Sequence, residues 1–508
     1  MIAQGVLPYE YQEQSKRRYL TGFAGLAAYL DLAAVTGICE SIRARVGVRD
    51  KQGWDDVQMI LSLILLNLAG GDCVEDIRLL EADEGFCRLL RRVQHHGLRR
   101  RQRRELERRW RKESKRTFPS PSAIFRYLAK FHDPNQEAMR QVGRAFIPAA
   151  NEHLTSLAEV NASLIAFLQS KNSVQTATLD EDACLVETNK KDALYSYKQY
   201  KAYQPLNVYW AEQDTLLHSE FRDGNVPAGY QITRVLQEAL DHLPEGVKKV
   251  MLRSDTAGYQ HELLEYCEKG LHPRFGRIEF AISCDVTPEF KMAVAEVKES
   301  QWRAIYREEN GVRIKTDRQW AEVCFIPNKI AFTKNAPCYR FLATREEMRQ
   351  LPLPGIEMQQ QLPFQTLEMN DHRYKIFGVV TNIRQWSGEE IIHWLNARCG
   401  KSEQAHGTLK EGLAGGKFPS SDFGENAAWW WITVLSFNLN SIFKRLALPQ
   451  RWMAKRMKAI RFHFINLPAR IIRHCRKLIV QFPQNHPSFR LLIDARRKIA
   501  SLASPLLA

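Results

Sequence analysis

The stretch TATLDEDACLVET, residues 176–188, decides the fold, because it alternates and is rich in Thr, Ala and Val. Alternation with a period of two predicts a half-buried β-strand. Two more short strands follow in NVYWAEQ (207–213) and LLHSEFRDGN (216–225), with a polar turn between them. The pattern therefore predicts a sheet that begins with three antiparallel strands.

Helices and strands alternate in the segments that follow. ITRVLQEALDHL (232–243) predicts an amphipathic helix, and KKVMLRSD (248–255) predicts a buried strand with a polar end. HELLEYCEKG (261–270) predicts a helix that Gly270 ends, and RIEFAISCDV (277–286) predicts another strand. The resulting order, β-β-β-α-β-α-β, is that of an RNase H-like fold, which belongs to the mixed α/β (α+β) class.

Two Asp residues lie at matching places in this order. Asp182 is in the first strand and Asp255 ends the fourth, and these strands are neighbours in an RNase H-like sheet. Both carboxylates can then face one site, where hard oxygen ligands suit Mg²⁺ or Mn²⁺. A single Asp at a strand end is more often a turn or cap residue. Because side chains alternate along a strand, Asp180 shares the face of Asp182 and stays a second acid there, while Glu181 points away.

A β-rich stretch interrupts this core. Residues 291–375 are rich in strand formers and turns, and they predict a β-rich insertion between a first core part (171–290) and a second part (376–448). The second part opens with Ser387 and, three residues on, Glu390, a pair that predicts a capping box at a helix N-terminus.

The helix-like run RCGKSEQAHGTLK, residues 398–410, carries further candidates for the site. Glu403, His406 and Lys410 fall at positions i, i+3 and i+7, so one helical face is predicted to present all three. A solvated charged face is the commoner explanation of such a pattern, and it stays open at this point.

Residues 1–170 predict a helical, basic, DNA-binding region. The run RRRQRRELERRWRKESKR (99–116) holds eleven Lys or Arg and three Glu. Clustered cations bind DNA by releasing its counterions, although a solvated basic helix explains the run as well. Pro119 and Pro121 end the run, and Ser122 is predicted to cap a short helix. The cations predicted to contact DNA are Arg99, Arg100, Arg101, Arg103, Arg104, Arg108, Arg109, Arg111 and Lys112.

The composition fits a folded protein with a polyanionic partner. The 508 residues carry a net charge of +16 and a pI of about 9.4. The longest apolar run, MILSLILLNLA (59–69), is shorter than the ~20 residues of a membrane span, which predicts a buried helix and no membrane. The polar start and ten scattered Cys without a CxxC pair predict a cytoplasmic protein with reduced thiols. Residues 449–508 predict a basic, helical C-terminal region.

These motifs together resemble bacterial insertion-sequence DDE transposases, and most nearly the thirteen-eighty insertion-sequence family, whose RNase H-like core is split by a β-rich insertion. The stretches that carry the resemblance are TLDEDA, EFRDGNVPAG, VMLRSDTAGY, YKIFGVVTNI and RCGKSEQAHGTLKEGLAGGKFPSSDFGENAAWWW. The resemblance implies that Asp182, Asp255 and Glu403 hold two Mg²⁺ or Mn²⁺ ions and catalyse DNA cleavage and strand transfer.

The resemblance also implies supporting residues and partners. Related transposases carry a Tyr-Arg-Glu-Lys signature, and Glu403 and Lys410 fit its last spacing, which gives Lys410 a role in holding DNA phosphate near the cut. Asn396 and Cys399 stand at the Tyr and Arg positions, with Arg398 one residue early. The implied partners are double-stranded DNA, as terminal inverted repeats and target, and a second copy of the chain. The implied location is the bacterial cytoplasm, at the nucleoid.

Two other functions fit the same residues. One is an RNase H-like nuclease without a strand-transfer step, and the other is a DNA-binding protein whose catalytic site is dispensable.

The resemblance also implies a role for an aromatic residue. Related transposases stack an aromatic residue of the insertion on a flipped base. Trp302 and Trp320 are the candidates for this role, although a buried structural role is the commoner one for Trp.

Overall fold

The computed structural model describes residues 19–48, 53–109, 116–141, 143–327, 337–348, 364–475 and 477–503, with the backbone alone for 105–109. Within these ranges the chain has the mixed α/β fold that the sequence predicts. The described α-helices are α1 (Leu26–Thr36), α2 (Ile38–Arg45), α3 (Asp56–Ala69), α4 (Ile77–Ala82), α5 (Glu84–Gln94), α6 (Arg100–Arg109), α7 (Pro121–Leu128), α8 (Pro134–Ala138), α9 (Glu152–Lys171), α10 (Ile232–Asp241), α11 (His261–Lys269), α12 (Pro288–Ala295), α13 (Gly388–Asn396), α14 (Lys401–Gly407), α15 (Phe423–Ala447), α16 (Met457–Ile460) and α17 (Phe489–Leu502).

Most of the described strands belong to one large mixed sheet. The strands are β1 (Leu20–Thr21), β2 (Thr176–Ala183), β3 (Val186–Glu187), β4 (Leu194–Tyr195), β5 (Lys201–Tyr203), β6 (Leu206–Trp210), β7 (Thr215–Glu220), β8 (Lys249–Ser254), β9 (Glu279–Cys284), β10 (Arg303–Glu309), β11 (Val312–Val323), β12 (Arg340–Glu347), β13 (Gln365–Met369), β14 (His372–Thr381), β15 (Ala469–His474) and β16 (Lys477–Gln481). The large sheet has the order β10-β11-β12-β14-β9-β8-β2-β6-β7, and β13 pairs with β14.

The core half of this sheet, β7-β6-β2-β8-β9, is centred on β2. This strand pairs antiparallel with β6 and parallel with β8, and β8 pairs parallel with β9. Parallel neighbours need a crossover connection, which α10 supplies before β8 and α11 supplies before β9. The predicted order β-β-β-α-β-α-β is thus confirmed, with the small sheet β3-β5-β4 as an addition between β2 and β6.

The β-rich insertion is present, but it does not form a sheet of its own. Its last strand, β14, pairs antiparallel with β9, so that Thr381 lies opposite Ala281. The insertion therefore extends the core sheet. Before β10 the chain forms helix α12, where the sequence predicts strands and turns. Helix α13 then begins very close to β11, since a Cβ atom on Gly388 would lie 2.2 Å from the Trp320 ring.

The two faces of the sheet pack against different helices. On one face Leu179 and Leu252 join residues of α10 and α11 in a single buried cluster. On the other face Met251 packs with Ile391 and Leu395 of α13. Burying a Leu or Ile side chain contributes about 1.5–3 kcal/mol, so both helix layers are held firmly against the sheet.

Helix α15 joins the amino-terminal helices to the rest of the molecule. Trp429 and Trp430 on α15 are fully buried in a cluster that includes Leu63 of α3 and Leu164 of α9. The run predicted as a buried helix, residues 59–69, is confirmed as part of α3. Among the described residues no single helix is long and apolar enough to cross a membrane, and only α3 with the segment Val74–Ala82, bent by 94°, reaches that length together.

Two local predictions in the amino-terminal third are wrong in detail. The residue that caps α7 is Ser120, whose side chain accepts from the Ala123 backbone N–H, and not Ser122. Pro121 occupies the first helical position, where its missing N–H costs nothing. The prediction that residues 1–170 are helical is also only partly met, because the described residues between α8 and α9 (139–141 and 143–151) are not helical.

The C-terminal region is only partly helical, which corrects the prediction for 449–508. Strands β15 (Ala469–His474) and β16 (Lys477–Gln481) pair antiparallel, and β15 also pairs with β1 near the start of the described chain. The segment RIIRHCRKLIV is partly amphipathic in a helical reading, but its Ile, Leu and Val residues also suit a strand. Pairing with β1 satisfies backbone groups that a helix would satisfy internally.

Candidate functional site

The pairing of β2 with β8 brings two acids together. Glu181 lies opposite Ser254 in the parallel register, so the next residues, Asp182 and Asp255, are neighbours at the carboxyl ends of both strands. One oxygen of Asp255 accepts a hydrogen bond from the Ala257 backbone N–H at 2.9 Å. Burial raises the pKa of the Asp255 carboxyl, and the negative charge of Asp182 raises it further. The two carboxylates therefore share one electrostatic environment, as the sequence predicts.

Asp182 is held from the side of helix α14. Its Oδ2 accepts a hydrogen bond from the Ser402 hydroxyl at 2.7 Å, and Arg398 Nη1 lies 3.0 Å from the same oxygen. The Asp182 side chain keeps 15% of its surface exposed. Arg398 thus reaches the predicted site in spite of its shifted position in the signature, whereas the part of Ser402 is not predicted from the sequence.

A buried chain of hydrogen bonds orients His406 toward Asp182. The Trp430 indole N–H can only donate, and it donates to the Ser219 hydroxyl at 2.8 Å. Ser219 must then donate to Asn207 Oδ1 at 2.6 Å, which leaves the Asn207 amide to donate to His406 Nε2 at 3.3 Å. His406 consequently carries its proton on Nδ1, which lies 4.0 Å from Asp182 Oδ2.

Burial also determines the charge of His406. Burial, together with the positive charges of Lys410 and Arg398, lowers the pKa of the imidazole to about 4. The neutral ring with an Nδ1 proton therefore faces Asp182. The residues of the relay lie on β6, β7 and α15, and only their cross-strand and helix packing brings them together.

Helix α14 does not turn Glu403 toward the two Asp residues. Gly400, with a φ of 93°, leads the chain into the helix through a conformation that glycine adopts without strain. Ala405 and Leu409 are buried in the large hydrophobic cluster, and their burial fixes the rotation of the helix. Glu403 is exposed as a result. The predicted shared face of Glu403, His406 and Lys410 is thus not formed as a single face.

Lys410 lies in a π-helical turn, Thr408–Gly412, that follows α14. Its Nζ is 3.4 Å from the Leu185 backbone oxygen, just beyond the end of β2. Burial raises the pKa of the neighbouring Cys184 thiol to about 11, although the positive charge of Lys410 lowers it. Lys410 therefore stays on the same side of the sheet as Asp182 and supplies positive charge there.

The donors at the strand ends fit a hard divalent cation. Asp182 and Asp255 offer carboxylate oxygens, and a cation would relieve the repulsion that raises the pKa of Asp255. Within the described ranges no three His, Cys, Asp or Glu side chains lie close enough together to hold a metal ion. The sheet thus supplies two carboxylate ligands of the kind that Mg²⁺ or Mn²⁺ prefers. Glu403 does not lie close enough to Asp182 and Asp255 to act as the third ligand.

Asp180 shares the face of Asp182, as predicted, but it is engaged elsewhere. Asp180 and Arg253 lie opposite each other in the β2–β8 register, and Arg253 Nε and Nη2 donate to the two carboxylate oxygens at 2.5 and 2.8 Å. Arg253 also donates to the Trp394 backbone oxygen at 2.8 Å. Asp180 is fully buried in this pair, so its contacts are those of a structural residue.

Glu181 lies on the opposite face, as alternation predicts. It is fully buried, and both carboxylate oxygens lack a hydrogen-bond partner among the described residues. Burial raises the pKa of Glu181 well above its usual range, while the positive charge of Arg222 lowers it. The rise favours the protonated form of Glu181, and its side chain lies on the face of the sheet away from Asp182.

The predicted DNA-contacting run begins as the exposed helix α6. Arg99, Arg100, Arg101, Arg103 and Arg104 are all exposed. The side chains of Arg108 and Arg109, and the whole of Arg111 and Lys112, lie outside the described residues. The insertion residues Trp302 and Trp320 are both buried, with 7% and 5% of their surface exposed, and this agrees with the structural alternative for each Trp.

Comparison with known proteins assigns the chain to a family. The family model described as "Transposase DDE domain group 1" matches residues 16–345 and 363–504. The chain belongs to this family. No curated protein matches the chain in sequence.

Among solved structures, the chain is similar to the piggyBac transposase in its synaptic complex with hairpin DNA. The identity is 8%, and the match covers 91% of this chain and 97% of the other at a TM-score of 0.34. A likeness at this TM-score carries no argument about the fold or the function of this chain. The assignment to the DDE transposase family therefore rests on the family match.

Proposed function

We propose that the protein is the DDE transposase of a bacterial insertion sequence of the thirteen-eighty kind, built on an RNase H-like core. The observation that carries the proposal is the placement of Asp182 and Asp255 side by side at the ends of two parallel strands. The membership in the DDE transposase family supports the same reaction class. The core order β7-β6-β2-β8-β9 and the inserted strands are those expected of such a core.

Asp182, Asp255 and Glu403 are the proposed ligands of two Mg²⁺ or Mn²⁺ ions. When bound, the ions would activate the attacking oxygen and stabilise the leaving oxygen of an in-line phosphoryl displacement. For Glu403 to reach the ions, α14 must turn by roughly one residue step, about 100°. Gly400 before the helix and the π-helical turn after it are the places where the backbone can absorb this rotation.

The surrounding residues hold the acids and the DNA in place. Arg398 and Ser402 fix the Asp182 carboxylate, and the neutral His406 directs its Nδ1 proton toward it. Lys410 supplies a positive charge next to the end of β2, where it can bind a DNA phosphate close to the cut. Of these roles, only that of Lys410 is one that the sequence signature implies.

The proposed partners are double-stranded DNA and a second copy of the chain. The exposed arginines of α6 and the net charge of +16 favour binding to the phosphates of the terminal repeats and of the target. Two element ends must be paired for strand transfer, so we propose a homodimer. We place the protein in the bacterial cytoplasm, at the nucleoid where its DNA substrate lies.

A cleavage and strand-transfer assay with Mg²⁺ tests the proposal. The substrate is a duplex that carries the inverted repeat flanking the gene, together with a target plasmid. The wild-type protein should nick the repeat end and join it to the plasmid, and D182N should do neither. The exposed Asp192 offers a matched control, and D192N should keep both activities. Cleavage without joining would identify a nuclease, and repeat binding without cleavage would identify a DNA-binding protein.

A further inference from the structure

A large charged cavity lies behind the helix that carries Glu403. Its volume is about 1810 Å³, and its walls come from α14, the end of α15 and the C-terminal segment 450–466. Seven Lys or Arg residues line it against four Asp or Glu residues. Positive charges therefore outnumber negative charges in the cavity walls, which favours a polyanionic ligand. One of the walls carries Glu403, a proposed catalytic acid.

The acids of the cavity are partly engaged already. Glu212 accepts a hydrogen bond from the Thr178 backbone N–H at 2.8 Å, and Asp214 accepts from the Tyr209 hydroxyl. The exposed cations Lys455, Arg456 and Lys458 line the cavity in a row, and none of them has an ion-pair partner among the described residues. The free charge of the C-terminal wall is thus positive.

A second group of cations lies at the end of α15. Lys444 and Arg445 are half-buried in the cavity wall, and the buried Nε of Arg445 has no hydrogen-bond partner within the described ranges. Burial lowers the pKa of the Lys444 ammonium, although the negative charge of Asp214 raises it, and the charge of Arg445 lowers it further. Because the Nε atom of Arg445 is shielded from solvent, a ligand in the cavity would contact this residue through the Nη atoms of its guanidinium group.

An aromatic ring projects into the same cavity. Phe462 exposes 75% of its surface, the largest exposed fraction among the described large hydrophobic residues. It lies in the π-helical turn Arg461–Ile465, and the adjacent Phe464 and Ile465 are fully buried. Leaving such a ring in water has no packing benefit, so a stacking partner is the simplest use for it.

The base of this turn is rigid. Arg461 donates to the backbone oxygens of Leu68, Asn67 and Gly412 at 3.0, 2.6 and 2.5 Å. The turn is thereby tied both to α3 and to the segment that follows α14. The backbone that carries Phe462 is consequently held in place, so the turn need not rearrange when a flat ligand stacks on the ring.

We propose that this cavity binds an unpaired DNA strand, with a base stacked on Phe462 and phosphates on Lys455, Arg456, Lys458 and Arg445. An aromatic platform among cations is the arrangement that binds single strands with little sequence preference. Stacking needs a base that is free of its partner strand, so the strand is single and not duplex. The inference rests on the proposed function, because it takes DNA as the polyanion. A strand bound in the cavity would run along α14, the helix that carries Glu403.

Fluorescence anisotropy with a labelled oligodeoxythymidine tests this inference on the full-length protein. The assay is run with a chelator, so that binding does not depend on metal or cleavage. F462A should raise the Kd roughly 5- to 150-fold, the loss expected for one stacked base, whereas F462W should bind like wild type. Tyr197 is a matched control, since it is 74% exposed, has the Lys198 ammonium 5.8 Å from its ring and lies outside the cavity. Y197A should leave the Kd unchanged.

The double variant R456A/K458A provides an independent arm. The binding constant for the single strand falls as the salt concentration rises, and the double variant should make this fall less steep. The magnitude of the slope of log K against log salt concentration should decrease by about 1.4, or 0.7 for each lost phosphate contact. Wild-type affinity of F462A, or an unchanged salt slope, would overturn the inference. An equal loss for a duplex of the same length would also overturn it, because a duplex base cannot stack on Phe462.

The outcome is separable from that of the proposed function. A wild-type protein that binds the oligonucleotide through Phe462 but does not cleave or join DNA would leave this inference standing and overturn the transposase proposal. A protein that cleaves and joins DNA, and whose F462A variant binds the strand as tightly as wild type, would do the reverse.

Discussion

Asp182 and Asp255 reach the site from the sheet, whereas Glu403 belongs to helix α14 on the other side, and different interactions fix the two sides. On the sheet side, backbone pairing of β2 with β8 places the two Asp residues next to each other. On the helix side, burial of Ala405 and Leu409 decides which residues face the sheet, and Glu403 does not. Hydrogen-bonded register therefore positions two acids firmly, while the third depends on the rotation of one short helix.

The difference teaches which part of the site can move. Shifting β2 by one residue would turn every one of its side chains to the other face and would bury charges on both sides. Turning α14 exchanges Ser402 for Glu403 next to Asp182 and also shifts the buried Ala405 and His406, but it leaves the strand pairing of the sheet intact. In the proposed function, the strands hold Asp182 and Asp255 in fixed positions, and rotation of α14 completes the site by bringing Glu403 to them.

The largest expected effect is the loss of catalysis when a sheet acid is neutralised. D182N and D255N should each lower the Mg²⁺-dependent cleavage rate on the order of a thousandfold or more, because a metal ligand contributes several kcal/mol to the transition state. E403Q should lower it comparably if the helix turns in. The rate is measured by gel on the repeat-end duplex. Glu411 is exposed and lines the same cavity, so E411Q should cleave normally, and cleavage by E403Q at the same rate as E411Q would show that the helix stays where it is.

Asp180 and Asp182 offer the next test, because they share one face of one strand. D180N should lower the unfolding free energy by roughly 3–5 kcal/mol, since it leaves the buried Arg253 without its partner. D182N should change stability little, since it removes a repulsion with Asp255 along with its own contacts. Urea unfolding of the metal-free protein measures both. Equal losses for the two variants would contradict the division into a structural and a catalytic Asp.

The buried His406 makes the helix side sensitive to acid. Its folded pKa of about 4 lies below the unfolded value of about 6.5, so its contribution is present above pH 6.5 and is lost as the pH falls toward 4. Over that window the wild type should lose roughly 3 kcal/mol of stability relative to H406Q. Urea unfolding at a series of pH values in a chelator provides the comparison. The exposed His463 is the control. If H463Q gained as much stability over the wild type at low pH as H406Q does, the pH dependence could not be assigned to His406.

The smallest effect is expected from the hydrogen-bond relay that joins the two sides. S219A removes the partner of the Trp430 indole N–H and of Asn207 Oδ1, which should lower the unfolding free energy by about 1–3 kcal/mol. Cleavage should fall less than in D182N, because His406 loses its orientation and no ligand is removed. Among the described residues, the Ser163 hydroxyl donates only to the Glu159 backbone oxygen of its own helix, so S163A should match the wild type. A cleavage loss in S219A as large as in D182N would give the relay a direct catalytic role.

The strand pattern was sufficient to predict the sheet side of the site. TATLDEDA alternates with a period of two, and both TATLDEDA and KKVMLRSD end in polar residues. The helix predicted between them lets the two strands lie parallel and adjacent. Their register then follows from the need to bury the apolar side chains on the correct face. The helix side is harder to predict from the sequence, because the polar residues Glu403, His406 and Lys410 at i, i+3 and i+7 also fit one helical face. The apolar residues Ala405 and Leu409 are the sequence signal that places Glu403 outside, since their side chains are buried.

Other features depended on contacts between distant parts of the chain. The relay through Asn207, Ser219 and Trp430 joins two strands and a helix, and no local pattern connects them. The hairpin β15–β16 forms because β1, far away in sequence, offers an edge to pair with. Arg253 was a visible clue to the role of Asp180, since the parallel register places the two opposite each other.

Metal rescue of cysteine variants tests the central claim most directly. A thiolate is a softer ligand than a carboxylate and accepts Mn²⁺ more readily than Mg²⁺. D182C, D255C and E403C should each be inactive in cleavage with Mg²⁺ and should recover part of their activity with Mn²⁺, while D180C should not respond to the change of metal. Normal cleavage by E403C with Mg²⁺, or no recovery of D182C and D255C with Mn²⁺, would contradict a site in which these three acids hold the metal ions.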